Sequence, residues 1–143
     1  MTELARIETV VFLQTVELLA SCSAEQILRI SAITRQHLLP AGEVIYREGG
    51  PADALYFVVR GQVSVLKSSG DERVLGAGQT FGVTEILSGR LRTGSATASE
   101  ETLVLAIEAD DFFDLLAHNI EIVKALFRQL LDKAPPPATR ESP

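Results

Sequence analysis

Between Gln36 and Ile107 the chain breaks into short β-favouring runs punctuated by glycine. Leu55 to Val59, Val63 to Leu66, Val74-Leu75 and Leu103 to Ile107 carry the branched and aromatic residues that suit strands. Pro40-Ala41-Gly42 and Gly49-Gly50-Pro51 read as turns, and Gly61 separates two of the runs. Ser68-Ser69-Gly70-Asp71-Glu72 reads as a polar hairpin loop with Gly70 at a left-handed position. This spacing predicts a sandwich or barrel of about eight strands.

Helical periodicity is confined to the ends. Thr2 to Gln14 places Leu4, Ile7, Val10, Val11 and Leu13 on helical spacing, and Val16 to Ala20 adds a short turn. Ser23-Ala24-Glu25-Gln26 is a capping box that starts a helix through about Ile33, with Ile27, Leu28, Ile30 and Ile33 apolar. Ala109 to Ala117 offers Phe112, Phe113, Leu115 and Leu116 for burial. Asn119 is placed to cap a last helix to about Asp132, whose stripe is Ile120, Val123, Leu126, Phe127, Leu130 and Leu131. That stripe is wider than one barrel face requires, so contact with a second copy or a parent protein is expected through it or through the Thr2–Gln14 helix. The proline-rich stretch 134–143 cannot continue a helix and is expected to be a disordered tail or linker, leaving residues 1–133 as one domain.

Composition narrows the class. The chain has 143 residues, 46% hydrophobic and 22% charged, enough for one core and ordinary for a globular domain. No apolar run is long enough to span a bilayer, and Met1-Thr2-Glu3 is not the basic start of a secretory signal. Cys22 is the lone cysteine, which points to a reducing compartment and so to the cytoplasm. The net charge of -6 disfavours nucleic acid as a partner. With only His37 and His118, no Gly-x-Ser-x-Gly elbow and no Walker loop, no catalytic residue and no metal site is expected. Asp110 and Asp111 diverge on a helix and read as solvated acids favoured by its dipole. A binding module, not an enzyme, is what remains.

The stretch from Phe81 to Ser95 carries the binding chemistry. Gly82 precedes a short helical run whose first N–H groups lack partners, and downstream Arg92 offers a guanidinium fork suited to phosphate. Thr93 and Ser95 add hydroxyls around Gly94, where a ligand can approach the backbone. This stretch resembles the phosphate-binding cassette of the cyclic-nucleotide-binding domain family, whose pattern is F-G-E-x-A-L-L, a turn, then R-[STA]-A-[ST]. Phe81, Gly82, Leu87, Gly89, Arg92, Thr93 and Ser95 fall in register with it. Pro40 to Ile45 and Glu48 to Val63 are similar to the family's other two glycine-marked signatures.

The resemblance implies a mainly β domain with terminal helices, a double-stranded β-helix or jelly roll, that senses cAMP or cGMP and needs no cofactor. It implies ligand contacts at Phe81, Gly82, Val83, Thr84, Arg92, Thr93, Gly94 and Ser95, with Phe127 or Leu130 as a cap over the base. Val83 stands where the family has the glutamate that accepts from the ribose 2'-hydroxyl, and Gly94 stands for an alanine. Glu85, two residues on, falls nearly opposite Val83 on the helix and is not an obvious substitute. The resemblance also implies signalling by movement of the last helices, in a domain that can be attached to a larger, membrane-associated parent. Two readings follow: a cyclic-nucleotide sensor with weak ribose recognition, or a ligand-free descendant whose fold serves protein contact.

Overall fold

The computed structural model describes residues 2–133; the expected tail at 134–143 lies outside the described residues. Helix α1 (Arg6–Leu13) and a 3-10 turn (Glu17–Leu19) lead into α2 (Ala24–Ala32). Eight strands follow: β1 (Arg35–Leu39), β2 (Val44–Tyr46), β3 (Ala54–Arg60), β4 (Val63–Leu66), β5 (Glu72–Leu75), β6 (Thr80–Phe81), β7 (Ser95–Ala98) and β8 (Thr102–Glu108). Helix α3 (Val83–Ser88) separates β6 from β7, and α4 (Ala109–His118) and α5 (Ile120–Lys133) close the domain. The strands form two four-stranded antiparallel sheets, β1-β8-β3-β6 and β2-β7-β4-β5, the jelly roll expected from the sequence.

Strands β3 and β8 explain why the middle of the sequence reads as apolar runs and not as clean alternation. They pair at the centre of the first sheet, with Leu55 opposite Ile107, Phe57 opposite Leu105 and Val58 opposite Val104. Leu55, Phe57, Leu103, Leu105 and Ile107 pack against the helices. Val58 and Val104 turn to the second sheet and join Val63, Leu75, Phe81, Ala96 and Ala98. A strand buried on both faces has no polar face to show.

The helices dock on the outer face of the first sheet through Leu13, Val16, Leu19, Ile27, Ile30, Phe112, Ile122 and Leu126. The capping box of α2 forms as expected, with Gln26 N–H donating to Ser23 Oγ at 3.2 Å and Ser23 N–H donating to Gln26 Oε1 at 2.8 Å. The helices depart from the sequence pattern at several positions. In α1, Thr9 and Leu13 are buried while Ile7 and Val11 are exposed, because the helix begins only at Arg6 and its docked face is rotated from the apolar stripe. Leu28 of α2 and Phe113 of α4 likewise face outward. Asn119 does not cap α5 with its side chain: it donates to Leu115 O at 2.8 Å and accepts from Arg29 at 2.7 Å, tying α4 to α2. In α5 the buried residues are Ile122, Ala125 and Leu126, while Ile120, Phe127 and Leu131 are exposed.

Candidate functional site

The cassette is anchored at both ends by backbone geometry. Phe81 pairs with Tyr56 on β3, and Gly82 then turns the chain into α3 at φ 84°. A Cβ at Gly82 would lie 3.0 Å from Arg92 Nη1 and 3.3 Å from Ala54 O, so this residue is glycine for both its conformation and its neighbour. Gly89, at φ 70°, ends the helix. Arg92 is fixed by two backbone bonds to the β2–β3 turn, its N–H to Gly50 O at 2.9 Å and its C=O from Gly49 N–H at 2.8 Å. Ser95 Oγ accepts from Glu48 N–H at 2.9 Å, and a Cβ at Gly94 would come 3.1 Å from Leu66 O, which accounts for glycine there.

The Arg92 side chain has no solvent exposure. Its Nη1 donates to Gly82 O at 2.8 Å and to Glu85 Oε1 at 3.2 Å, and its Nη2 donates to Ala54 O. Its guanidinium carbon stacks 4.0 Å above the Tyr46 ring, a cation–π contact in a desolvated setting. Tyr46, Tyr56 and Phe81 form an aromatic floor, with the last two stacked at 5.0 Å. Burial, only partly offset by Arg92, pushes the Tyr46 phenol up to about 12, so it stays a neutral hydrogen-bonding group. Arg92 Nε is buried and has no acceptor among the described residues.

A cavity of about 430 Å³ opens over this arrangement, bordered by Tyr46, Val65, Lys67, Asp71, Arg73, Phe81, Gly82, Thr84, Glu85, Ser88, Arg90 and Thr93. Phe81, Gly82, Thr84 and Thr93 therefore border one polar cavity, with Arg92 buried against it. Ser95 and Gly94 lie behind it, against Glu48 and β4.

Val83 is placed elsewhere. Its side chain packs on the helical core beside Leu18, Phe112 and Leu116. Phe127 and Leu130 line the same apolar cleft and do not border the polar cavity; Leu130 also reaches a neighbouring cleft of about 230 Å³ that includes Gly82 and Thr84.

Glu85 takes the position facing the cavity. Besides Arg92 it holds Thr93, whose Oγ1 donates to Glu85 Oε2 at 2.7 Å. Burial opposes its charge, but hydrogen bonds from Thr93, from its own backbone and from Arg92, with the arginine's charge, hold the carboxyl below the ordinary range. The sequence reading gave this residue no role. The signal was present: Val83 and Ile86 stand at i and i+3 and mark the face of α3 that packs on the core, which sends Glu85 to the other side. Tyr46, Lys67 and Arg73 were missed because neighbours across strands are not adjacent in sequence, and Arg90, inside the cassette, carries no pattern that separates it from an ordinary turn residue.

Known proteins place this geometry. The sequence profile described as the cyclic nucleotide-binding domain matches residues 36–119. A cyclic nucleotide-gated potassium channel of Rhizobium etli is 32% identical over 119 residues, covering 82% of this chain and 33% of the channel. The cyclic AMP receptor protein of Thermus thermophilus is 33% identical over 102 residues, covering 64% of this chain and 47% of the receptor. The chain thus spans less than half the length of these curated relatives. Among solved structures, the N-terminal domain of a transcriptional regulator from Streptomyces coelicolor A3(2) superposes with a TM-score of 0.73 at 28% identity, covering 85% of this chain and 91% of that one. A matched profile over more than half of the chain shows that this chain belongs to the cyclic nucleotide-binding domain family.

Proposed function

We propose that the chain is a non-catalytic regulatory domain that senses a cyclic nucleotide, cAMP or cGMP, through its phosphate and with low affinity. The observation that carries this reading is Arg92, a fully buried guanidinium beside a polar cavity, with one N–H left without an acceptor among the described residues. A buried donor left without an acceptor is costly, and a ligand oxygen in the cavity would complete it. The affinity is low because no acceptor for the ribose hydroxyl stands at Val83, and because Arg92 is already engaged by Glu85. Among the described residues no helix is long and apolar enough to cross a membrane. We place the domain in the cytoplasm, as the regulatory part of a larger parent.

Calorimetric titration of the purified chain with each cyclic nucleotide tests this. The expected result is weak binding that disappears in Arg92→Lys, which keeps the charge but loses the fork. Absence of heat at millimolar nucleotide would overturn it.

A second reading is favoured by one observation: Arg92 and Thr93 are both held by Glu85 without any ligand. On that reading the cassette is structural, and the exposed Ile120, Phe127 and Leu131 of α5, or Ile7 and Val11 of α1, serve contact with a second copy or a parent protein. A well-folded chain that binds neither nucleotide and self-associates on light scattering would establish it.

A further inference from the structure

We infer that Glu85 is the cavity's own occupant of the anion position, a carboxylate latch that decides which ligands are admitted. This rests on the reading that the cavity takes a phosphate. The two oxygens of the Glu85 carboxylate hold the two side chains of the cassette best suited to phosphate oxygens: Arg92 Nη1 at 3.2 Å and Thr93 Oγ1 at 2.7 Å. Both members of the ion pair are withdrawn from water, with side-chain exposures of 0% for Arg92 and 13% for Glu85. Solvent screening is therefore weak, and an incoming phosphate meets a fixed negative charge at close range.

An anion cannot share this position with Glu85; it must displace it. The fold gives the displaced carboxylate somewhere to go. Glu85 borders the cavity together with Lys67, Arg73 and Arg90, so it can exchange Arg92 for a cation at the rim while the ligand takes Arg92 and Thr93. Because Arg92 also donates to Gly82 O and Ala54 O, releasing Glu85 does not release the arginine. The latch is thus a competitor for the ligand, and the two carbonyls keep Arg92 in place when it opens.

The test is titration of the full chain with cAMP, with cGMP and with inorganic phosphate, comparing the unmodified protein with Glu85→Ala and Glu85→Gln. The glutamine variant keeps the hydrogen-bonding shape should alanine fail to fold. The expected result is binding about tenfold tighter or more in the variants, since the phosphate no longer has to displace a like charge. If the variants gain affinity for inorganic phosphate while no protein binds either nucleotide, the latch stands and the cyclic-nucleotide reading falls. Nucleotide binding that is unchanged or weaker in the variants overturns the latch and leaves the nucleotide reading in place. If none of the folded proteins binds any of the three probes, both are overturned.

Discussion

Arg92 Nη1 lies 3.2 Å from Glu85 Oε1 across the cassette, joining the loop before β7 to the middle of α3 through a guanidinium that has no contact with solvent. The same guanidinium holds the carbonyls of Gly82 and Ala54, so one side chain fixes α3, its glycine entry and the start of β3. Its removal should therefore be felt in the fold as well as in the ligand site. Arg92→Met leaves the Glu85 carboxylate partly buried without its cation, and breaking such a pair costs about 3–5 kcal/mol. The double variant Arg92→Met, Glu85→Leu should recover a substantial part of that loss. Urea unfolding measures both. A single variant as stable as the parent would show that the pair does not hold the cassette.

The pair also makes stability depend on pH in a definite direction. The Glu85 carboxyl is held below its ordinary value of 4.5 in the folded chain, so between that value and its folded one the unfolded state binds more protons. The stabilisation is complete above the ordinary value and is lost as pH falls through the folded value. Glu85→Gln should accordingly be less stable than the parent at neutral pH, and the difference should close as the solution is acidified through that interval. Denaturant midpoints at a series of pH values check this; a difference that stays constant with pH would mean that some other carboxylate is responsible.

The glycines give an ordered series. Gly70, Gly82 and Gly61 all have positive φ, at 97°, 84° and 97°, so alanine at any of them pays the left-handed penalty of about 1–2 kcal/mol. At Gly70 nothing lies within 4 Å of an added Cβ; at Gly82 it would meet Arg92 Nη1 at 3.0 Å; at Gly61 it would meet Thr102 Oγ1 at 2.5 Å and Glu101 O at 2.6 Å. Loss of stability should rise in the order Gly70→Ala, Gly82→Ala, Gly61→Ala. Thermal unfolding reads the order directly, and a Gly61 variant as mild as the Gly70 one would contradict the close packing of the β3–β4 turn on β8.

The strands legible in the sequence were those with apolar mass. β3 and β8 were legible to within a residue or so at each end because burial on both faces leaves continuous apolar runs, and β4 was legible at its observed bounds from Val63, Val65 and Leu66 between turn residues. β1, β6 and β7 could not be read that way. Arg35-Gln36-His37 opens β1 with polar residues, β6 is two residues long, and Ser95-Ala96-Thr97-Ala98 carries little side chain at all. Their strand character comes from pairing with β8, β3 and β4, a tertiary cause that local pattern cannot report. The same distinction divides the site. Gly82, Arg92 and Thr93 are legible from residue type and spacing; the facing direction of α3 is legible only from its apolar positions Val83 and Ile86, not from the family pattern that puts a ligand contact at Val83. The estimate that Val83 and Glu85 lie on opposite sides of α3 agrees with the structure; burial of the valine decides which of them faces the cavity.

That orientation sets the outcome of Val83→Glu. A glutamate at this position would restore the family's residue in sequence, yet in this chain it would start from the helical side of α3, among Leu18, Phe112 and Leu116. A carboxylate placed in that apolar cleft without a partner costs about 1–3 kcal/mol or more, and it can reach the polar cavity only by turning back around the helix start. There it would add a second negative charge beside Glu85, and two carboxylates close together disfavour each other's ionised form. Val83→Glu alone should therefore lower stability without improving nucleotide binding. Combined with Glu85→Ala, it should bind more tightly than Val83→Glu alone, because the position opposite Arg92 and Thr93 is then vacant. Calorimetry and urea unfolding on the single and double variants check the two halves separately. Tighter binding in the single variant would show that Glu85 does not obstruct the cavity, and an undiminished stability would show that the cleft beside Val83 admits a charge.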